Sequence, residues 1–121
     1  MTVGTQQQGQ RAERVVASYL QRRGLRVEGM NVRVGKFELD IVAQDGAVIA
    51  VVEVRTRGPN SWTSGFGSID WRKRQRIRKA GRTLWRQLYR KNHAIERLRF
   101  DAASVVFHAS GARVEYAKAA F

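Results

Sequence analysis

The sequence predicts an α/β sandwich built on a mixed sheet, in the order α-β-β-β-α-β-β. Three observations lead there. Phe37 to Ala43 and Ala47 to Arg55 are apolar runs of strand length, separated by a turn signal. The stretches on either side of this strand region carry apolar residues at helical spacing. The length, 121 residues with 43% hydrophobic residues and one proline, suffices for a single core and not for two.

Residues 1–8 are polar and aperiodic and read as a disordered tail, leaving residues 9–121 as one domain. From Gly9 to Arg23, residues Ala12, Val15, Val16, Tyr19 and Leu20 recur on one helical face, and Gly24 supplies the C-cap. Leu25 to Val34 reads as the first strand and Phe37 to Ala43 as the second. Gln44-Asp45-Gly46 is a tight turn. Ala47 to Arg55, apolar on both faces until Glu53, is a central strand. Residues 56–67 form a loop rich in turn residues, and Ser68 is the expected N-cap of a long helix reaching about Lys91. Leu98 to His108 and Arg113 to Ala117 complete the sheet, joined through Ser110-Gly111.

Charge bounds the function. The formal net charge is +13, and the isoelectric point of about 11.5 points first to nucleic acid and then to anionic membrane. No apolar run approaches the roughly 20 residues of a membrane span. The N-terminus shows no apolar signal core, so the cytoplasm is the expected compartment. Absence of cysteine excludes disulfides, iron–sulfur clusters and thiolate zinc sites.

Acids inside apolar strands are the second signal, because a buried carboxylate is costly unless paired or bound to a cation. Glu38 and Asp40 alternate with Phe37, Leu39 and Ile41, so both carboxylates are expected on one face. Glu53 and Arg55 share a face opposite Val52 and Val54, at the exit of the most hydrophobic strand, where functional residues concentrate. Each pair alone also fits a solvated strand face or a simple ion pair. Glu13 lies on the first helix among Ala12, Val16 and Ala17, and by itself reads as an exposed residue of the first turn. Converging carboxylates would suit Mg²⁺ or Mn²⁺.

The second helix carries Arg72, Lys73, Arg74, Arg76, Arg78, Lys79, Arg82, Arg86, Arg90 and Lys91 against a single acid, Asp70. Arg72, Arg76, Lys79, Arg86 and Arg90 fall on one stripe, with Arg74, Arg78 and Arg82 beside it. Solvated helix faces ordinarily mix signs, and like charges four apart oppose helix formation by a few tenths of a kcal/mol. A single-sign face fits an external polyanion. Lys73 falls on the side of Ile77, Ala80 and Leu84 and so faces the sheet, as a site residue or with its stem on the core and its ammonium in water. Trp62 and Phe66, in the loop, are placed either to stack on unpaired bases or to pin the loop to the core. Trp71, Trp85 and Tyr89 read as packing residues, and Trp85 with Leu88 as a candidate interface patch.

Gly9-xxx-Glu13-xxx-Ala17, Asn31-Val-Arg33, Glu38-Leu-Asp40-Ile-Val-Ala, Glu53-Val-Arg55-Thr-Arg57, Ser68-Ile-xxx-Lys73-xx-Arg76-Ile, Arg99-Phe-Asp101 and the closing Ala120-Phe121 together resemble the YraN (UPF0102) family over nearly the whole chain. That family resembles the PD-(D/E)xK superfamily, which implies a restriction-endonuclease-like three-layer sandwich with a mixed central sheet flanked by helices, as in Holliday-junction resolvases. The resemblance implies that Asp40 and Glu53 are metal-binding acids, with Glu13 as the helical third and Glu38 as a further ligand or supporting group. Arg55 stands where the superfamily usually has the lysine that orients the attacking water. Arginine stabilises charge but does not exchange protons as lysine does, and Lys73 is positioned to supply an ammonium instead. The implied function is a Mg²⁺- or Mn²⁺-dependent endonuclease on DNA, branched or single-stranded, without strong sequence preference. The alternative is an inactive nucleic-acid-binding module of the same fold. Arg57 and the basic helix would hold the backbone, with DNA favoured over RNA and no membrane partner. Nucleases that cut both strands are commonly two-fold dimers, so a homodimer is a further expectation.

Overall fold

Period-two strands and two amphipathic helices assemble one five-stranded sheet in the order β1-β2-β3-β4-β5. The computed structural model describes residues 5–57 and 69–121. Its elements are α1 (Thr5–Arg22), β1 (Arg26–Val34), β2 (Phe37–Asp45), β3 (Val48–Arg57), α2 (Trp71–Leu84), β4 (Arg97–His108) and β5 (Gly111–Ala117). The order is the expected one. All neighbours pair antiparallel except β3 and β4, which run parallel across the α2 connection.

Each helix covers one face. Ala12, Val16 and Leu20 of α1 pack on Ile41, Ala43, Ala50, Val52, Ala103 and Val105. Ile77, Ala80 and Leu84 of α2 pack on Leu39, Val42, Ile49, Val51 and Ala102. Neighbours such as Val51 and Val52 enter opposite layers, which is why β3 reads as continuously apolar. Fully burying each Val, Ile or Leu contributes about 1.5–3 kcal/mol, so both layers are needed to hold so short a chain together. Gly81 lets α2 close on β4, since a Cβ there would stand 2.7 Å from the Phe100 ring.

Helix ends depart from the sequence reading in three places. The first helix begins at Thr5 rather than Gly9, because the glutamines ahead of Gly9 are good helix formers that need no burial. Its C-terminus is as expected: Gly24 takes φ +86°, its N–H reaches Gln21, and the Leu25 N–H reaches back to Leu20. Ser68, the expected cap of the second helix, lies outside the described residues. The observed N-cap is Asp70, whose carboxylate accepts the Lys73 N–H at 2.8 Å. That contact holds the Asp70 carboxyl below its usual range. Finally, α2 does not reach Lys91 as one helix. It gives way to a π-turn at Trp85–Tyr89, closed by the Arg90 N–H on the Trp85 carbonyl at 2.8 Å. The wider turn rotates the residues beyond it, so the basic stripe expected to run from Arg72 to Arg90 is interrupted at Trp85.

Candidate active site

The β1–β2 hairpin changes faces at one point. On β2, Leu39 enters the α2 layer and Ile41 the α1 layer, which strict alternation forbids. On β1, Val32 and Met30 make the same exchange. Between each pair sits one residue, Asp40 on β2 and Asn31 on β1. Asn31 adopts φ +52°, a left-handed conformation that asparagine tolerates better than most residues. The simple alternation by which Glu38 and Asp40 were expected to share one face therefore does not hold through Asp40. Glu38 is exposed and Asp40 half-buried.

Pairing of β2 with β3 runs from Asp45↔Val48 only as far as Ile41↔Val52. Asp40 is the first residue beyond it. Its Oδ2 accepts the Val54 N–H at 2.8 Å, so a side chain replaces the backbone acceptor where the strands part. Burial, and then the charge of Glu53, push the Asp40 carboxyl up to about 8.

Glu53 is 3% exposed and faces the α2 layer. Lys73, from the first turn of α2, makes an ion pair with it, and Arg55 Nε stands 4.0 Å away. Lys73 thus faces the sheet, and its ammonium meets a buried acid rather than bulk water. Glu13 is half-buried on α1. Burial raises its carboxyl above the usual range, the Asn31 side chain opposes this by hydrogen bonding, and the charges of Glu38 and Glu53 add to the rise. Glu13 Oε2 is buried with no hydrogen-bond partner among the described residues.

These groups suit a hard divalent cation in chemistry: carboxylate oxygens, one of them buried and unpartnered, in mutual repulsion. Among the described residues, no three acids form a ready-made cation cage. Positive charge at Glu53 comes from Lys73 and Arg55.

The remaining predicted residues divide. Arg72, Arg76, Lys79, Arg82, Arg86 and Arg90 lie on the solvent side of the helix or at its margin, while Arg74 and Arg78 are half-buried. Arg57 is engaged with Glu115 of β5 at 2.6 Å. Trp62 and Phe66 lie outside the described residues. Trp85 and Tyr89 pack against the α2 layer as expected, whereas Trp71 is 71% exposed, because the first turn of α2 projects it past the sheet instead of over it. Leu88 is 62% exposed.

Sequence reasoning assigned no role to Asp101, which is 0% exposed. Arg99 grips it through Nε at 2.8 Å and through a terminal nitrogen at 2.9 Å. The Tyr116 hydroxyl donates to it at 2.6 Å and the Ala119 N–H at 2.9 Å. Arg99 also bridges to Asp45 at 2.9 Å. Burial and the Asp101 contact push the Tyr116 hydroxyl up. The signal was present, since a lone acid in Phe100-Asp-Ala-Ala-Ser is as anomalous as Glu53.

Residues 12–105 match the model of a family described as Uncharacterised protein family UPF0102. The chain belongs to UPF0102. It is 52% identical over 114 residues to a UPF0102 protein of Sorangium cellulosum (strain So ce56), covering 93% of this chain and 79% of that one. A UPF0102 protein of Alkaliphilus metalliredigens (strain QYMF) is 35% identical over 98 residues, covering 81% and 83%. One from Porphyromonas gingivalis is 34% identical over 116 residues, covering 93% and 82%. The UPF0102 match spans Glu13, Asn31, Asp40, Glu53, Lys73 and Asp101 alike. No helix among the described residues is long and apolar enough to cross a membrane.

Proposed function

We propose that this UPF0102 protein binds nucleic acid through the cationic side of α2 and hydrolyses phosphodiester bonds at the acids beside its first turn. The observation that carries the reading is the pairing of Asp40 with Glu53 where β2 parts from β3, with Lys73 of the basic helix directly on Glu53. Charged side chains are brought together against their own repulsion, and such a cluster is a common mark of a working site.

Asp40, Glu53 and Glu13 would hold Mg²⁺ or Mn²⁺, with Glu38 at the exposed margin. When bound, the ion would polarise a phosphoryl oxygen and generate a hydroxide-like nucleophile near neutral pH. Arg55 and Lys73 bring fixed positive charge to the phosphate as negative charge develops on it. Arg72, Arg76, Lys79 and Arg82 hold the polyanion without reading its sequence, and binding should weaken steeply with salt. DNA is the favoured polymer.

The test is cleavage of single-stranded, duplex and four-way-junction DNA in Mg²⁺, Mn²⁺ or EDTA, with wild type and Asp40→Ala purified side by side. Metal-dependent cutting by wild type alone is the expected result. Equal cutting by Asp40→Ala would remove this site from the reaction.

A second reading, a binding module without chemistry, is favoured by the Lys73–Glu53 ion pair together with Arg55, which already neutralise the most buried acid of this site. It predicts DNA binding that neither EDTA nor Asp40→Ala alters, with no cutting.

A further inference from the structure

The β1–β2 turn and α2 enclose a groove of about 450 Å³, within the range of small-molecule sites. Its floor is Val34 and Ala80, its wall is the half-buried ring of Phe37, and its rim is Lys36, Arg76, Lys79 and Thr83, whose hydroxyl donates to the Lys79 carbonyl at 3.1 Å. Three cations and no acid line it. Among the described residues, none of the three makes an ion pair. Apolar depth with an aromatic wall under a purely cationic rim is what one nucleotide requires, with its base on the ring and its phosphate on the rim.

The groove is held firmly. Val34 and Phe37 pair across a two-residue turn, Gly35-Lys36, with Gly35 at φ +61°. Lys36 therefore projects from a tight turn, while Arg76, Lys79 and Thr83 come from one rigid helix. Arg76 is one turn, about 4.5 Å of helix rise, beyond Lys73. The groove runs on from there to Thr83, about 15 Å along the axis from Lys73, a span of a few stacked nucleotides.

We propose that this groove binds one unpaired nucleotide of the nucleic-acid strand, next to the scissile position, and so selects single-stranded or branched substrates over continuous duplex. A base stacked and paired in a duplex has no free face to lay on Phe37, whereas an unpaired one does. The inference rests on the proposed nucleic-acid function and names its substrate class. Lys36 and Phe37 gain roles that the acids and the basic stripe did not assign.

The test measures binding of a short fluorescein-labelled oligothymidylate, and of a blunt duplex of equal length, by fluorescence anisotropy. Phe37→Leu keeps apolar volume in the core and removes the stacking face. It is expected to weaken single-strand binding by about 5-fold or more with duplex binding nearly unchanged. Lys36→Glu/Lys79→Glu is compared with Arg82→Glu/Arg90→Glu, which removes the same charge from exposed positions outside the groove. The groove pair is expected to lose about tenfold more affinity for the single strand than the outer pair, with equal losses for duplex. Matched losses for both pairs on both ligands would overturn the groove and leave general DNA binding standing. Failure of wild type to bind either ligand would overturn both proposals. Thymidine monophosphate competing as well as the oligonucleotide would also overturn it, showing a mononucleotide site instead of a strand site.

Discussion

The Asp40 carboxylate accepts the Val54 N–H at 2.8 Å where backbone pairing between β2 and β3 has already ended. One acid thereby closes the opening in the sheet while lying close enough to Glu53 and Glu13 for their charges to raise its affinity for protons. A carboxyl held at about 8 against an ordinary value of about 3.9 is a stored preference for positive charge, met by a proton or by a cation.

The sign of the resulting pH dependence is fixed. Between about pH 4 and pH 8 the folded state keeps a proton on Asp40 that the unfolded chain releases, so stability falls as pH rises through that window. In chelator, the melting temperature of wild type is expected to drop from pH 5 to pH 9 more than that of Asp40→Asn. Mg²⁺ at pH 8 is expected to raise the wild-type value and leave Asp40→Asn unmoved. Parallel profiles for the two proteins would contradict the assignment.

Lys73→Met is expected to cost about 3 kcal/mol in urea unfolding, because Glu53, 3% exposed, loses the ammonium it pairs with. Adding Glu53→Gln to Lys73→Met should recover most of that loss. Additive losses in the double variant would mean that the two side chains act independently.

At Asp101 the expectation is a graded one. Asp101→Asn leaves the Arg99 guanidinium beside a neutral amide, with Asp45 as its remaining carboxylate, and should cost about 3 kcal/mol. Tyr116→Phe removes one hydrogen bond to a charged group, worth about 1.5–3 kcal/mol. A thermodynamic cycle on Asp101 and Tyr116 should show coupling, since the phenol is useful only while the carboxylate is there. Independence would make the 2.6 Å contact energetically idle.

Gly81→Ala would improve helix propensity by about 1 kcal/mol on an exposed helix. Here the added methyl meets the Phe100 ring at 2.7 Å, and that ring is itself packed on Phe121. Overpacking of about 1–3 kcal/mol should win, so the variant is expected to unfold at lower temperature than wild type. The same substitution in a Phe100→Leu background should be neutral or stabilising.

Much of this molecule is written locally in the chain. Helix and strand periods are set by a few neighbouring residues, so the order of elements, the two-sided burial of β3, the Gly24 cap and the inward side of Lys73 were all legible. Cation density on α2 needed only counting. What tertiary structure decided are relations between segments far apart in sequence. Asn31 and Asp40 switch faces together only because β1 and β2 share a register, and Arg57 meets Glu115 only because β4 joins β3 to β5. Lys36 and Phe37 line a groove only because α2 lies across their hairpin. Alternation in a single strand carries no record of a partner that makes it fail, so the face of Asp40 could be settled only by the sheet that surrounds it.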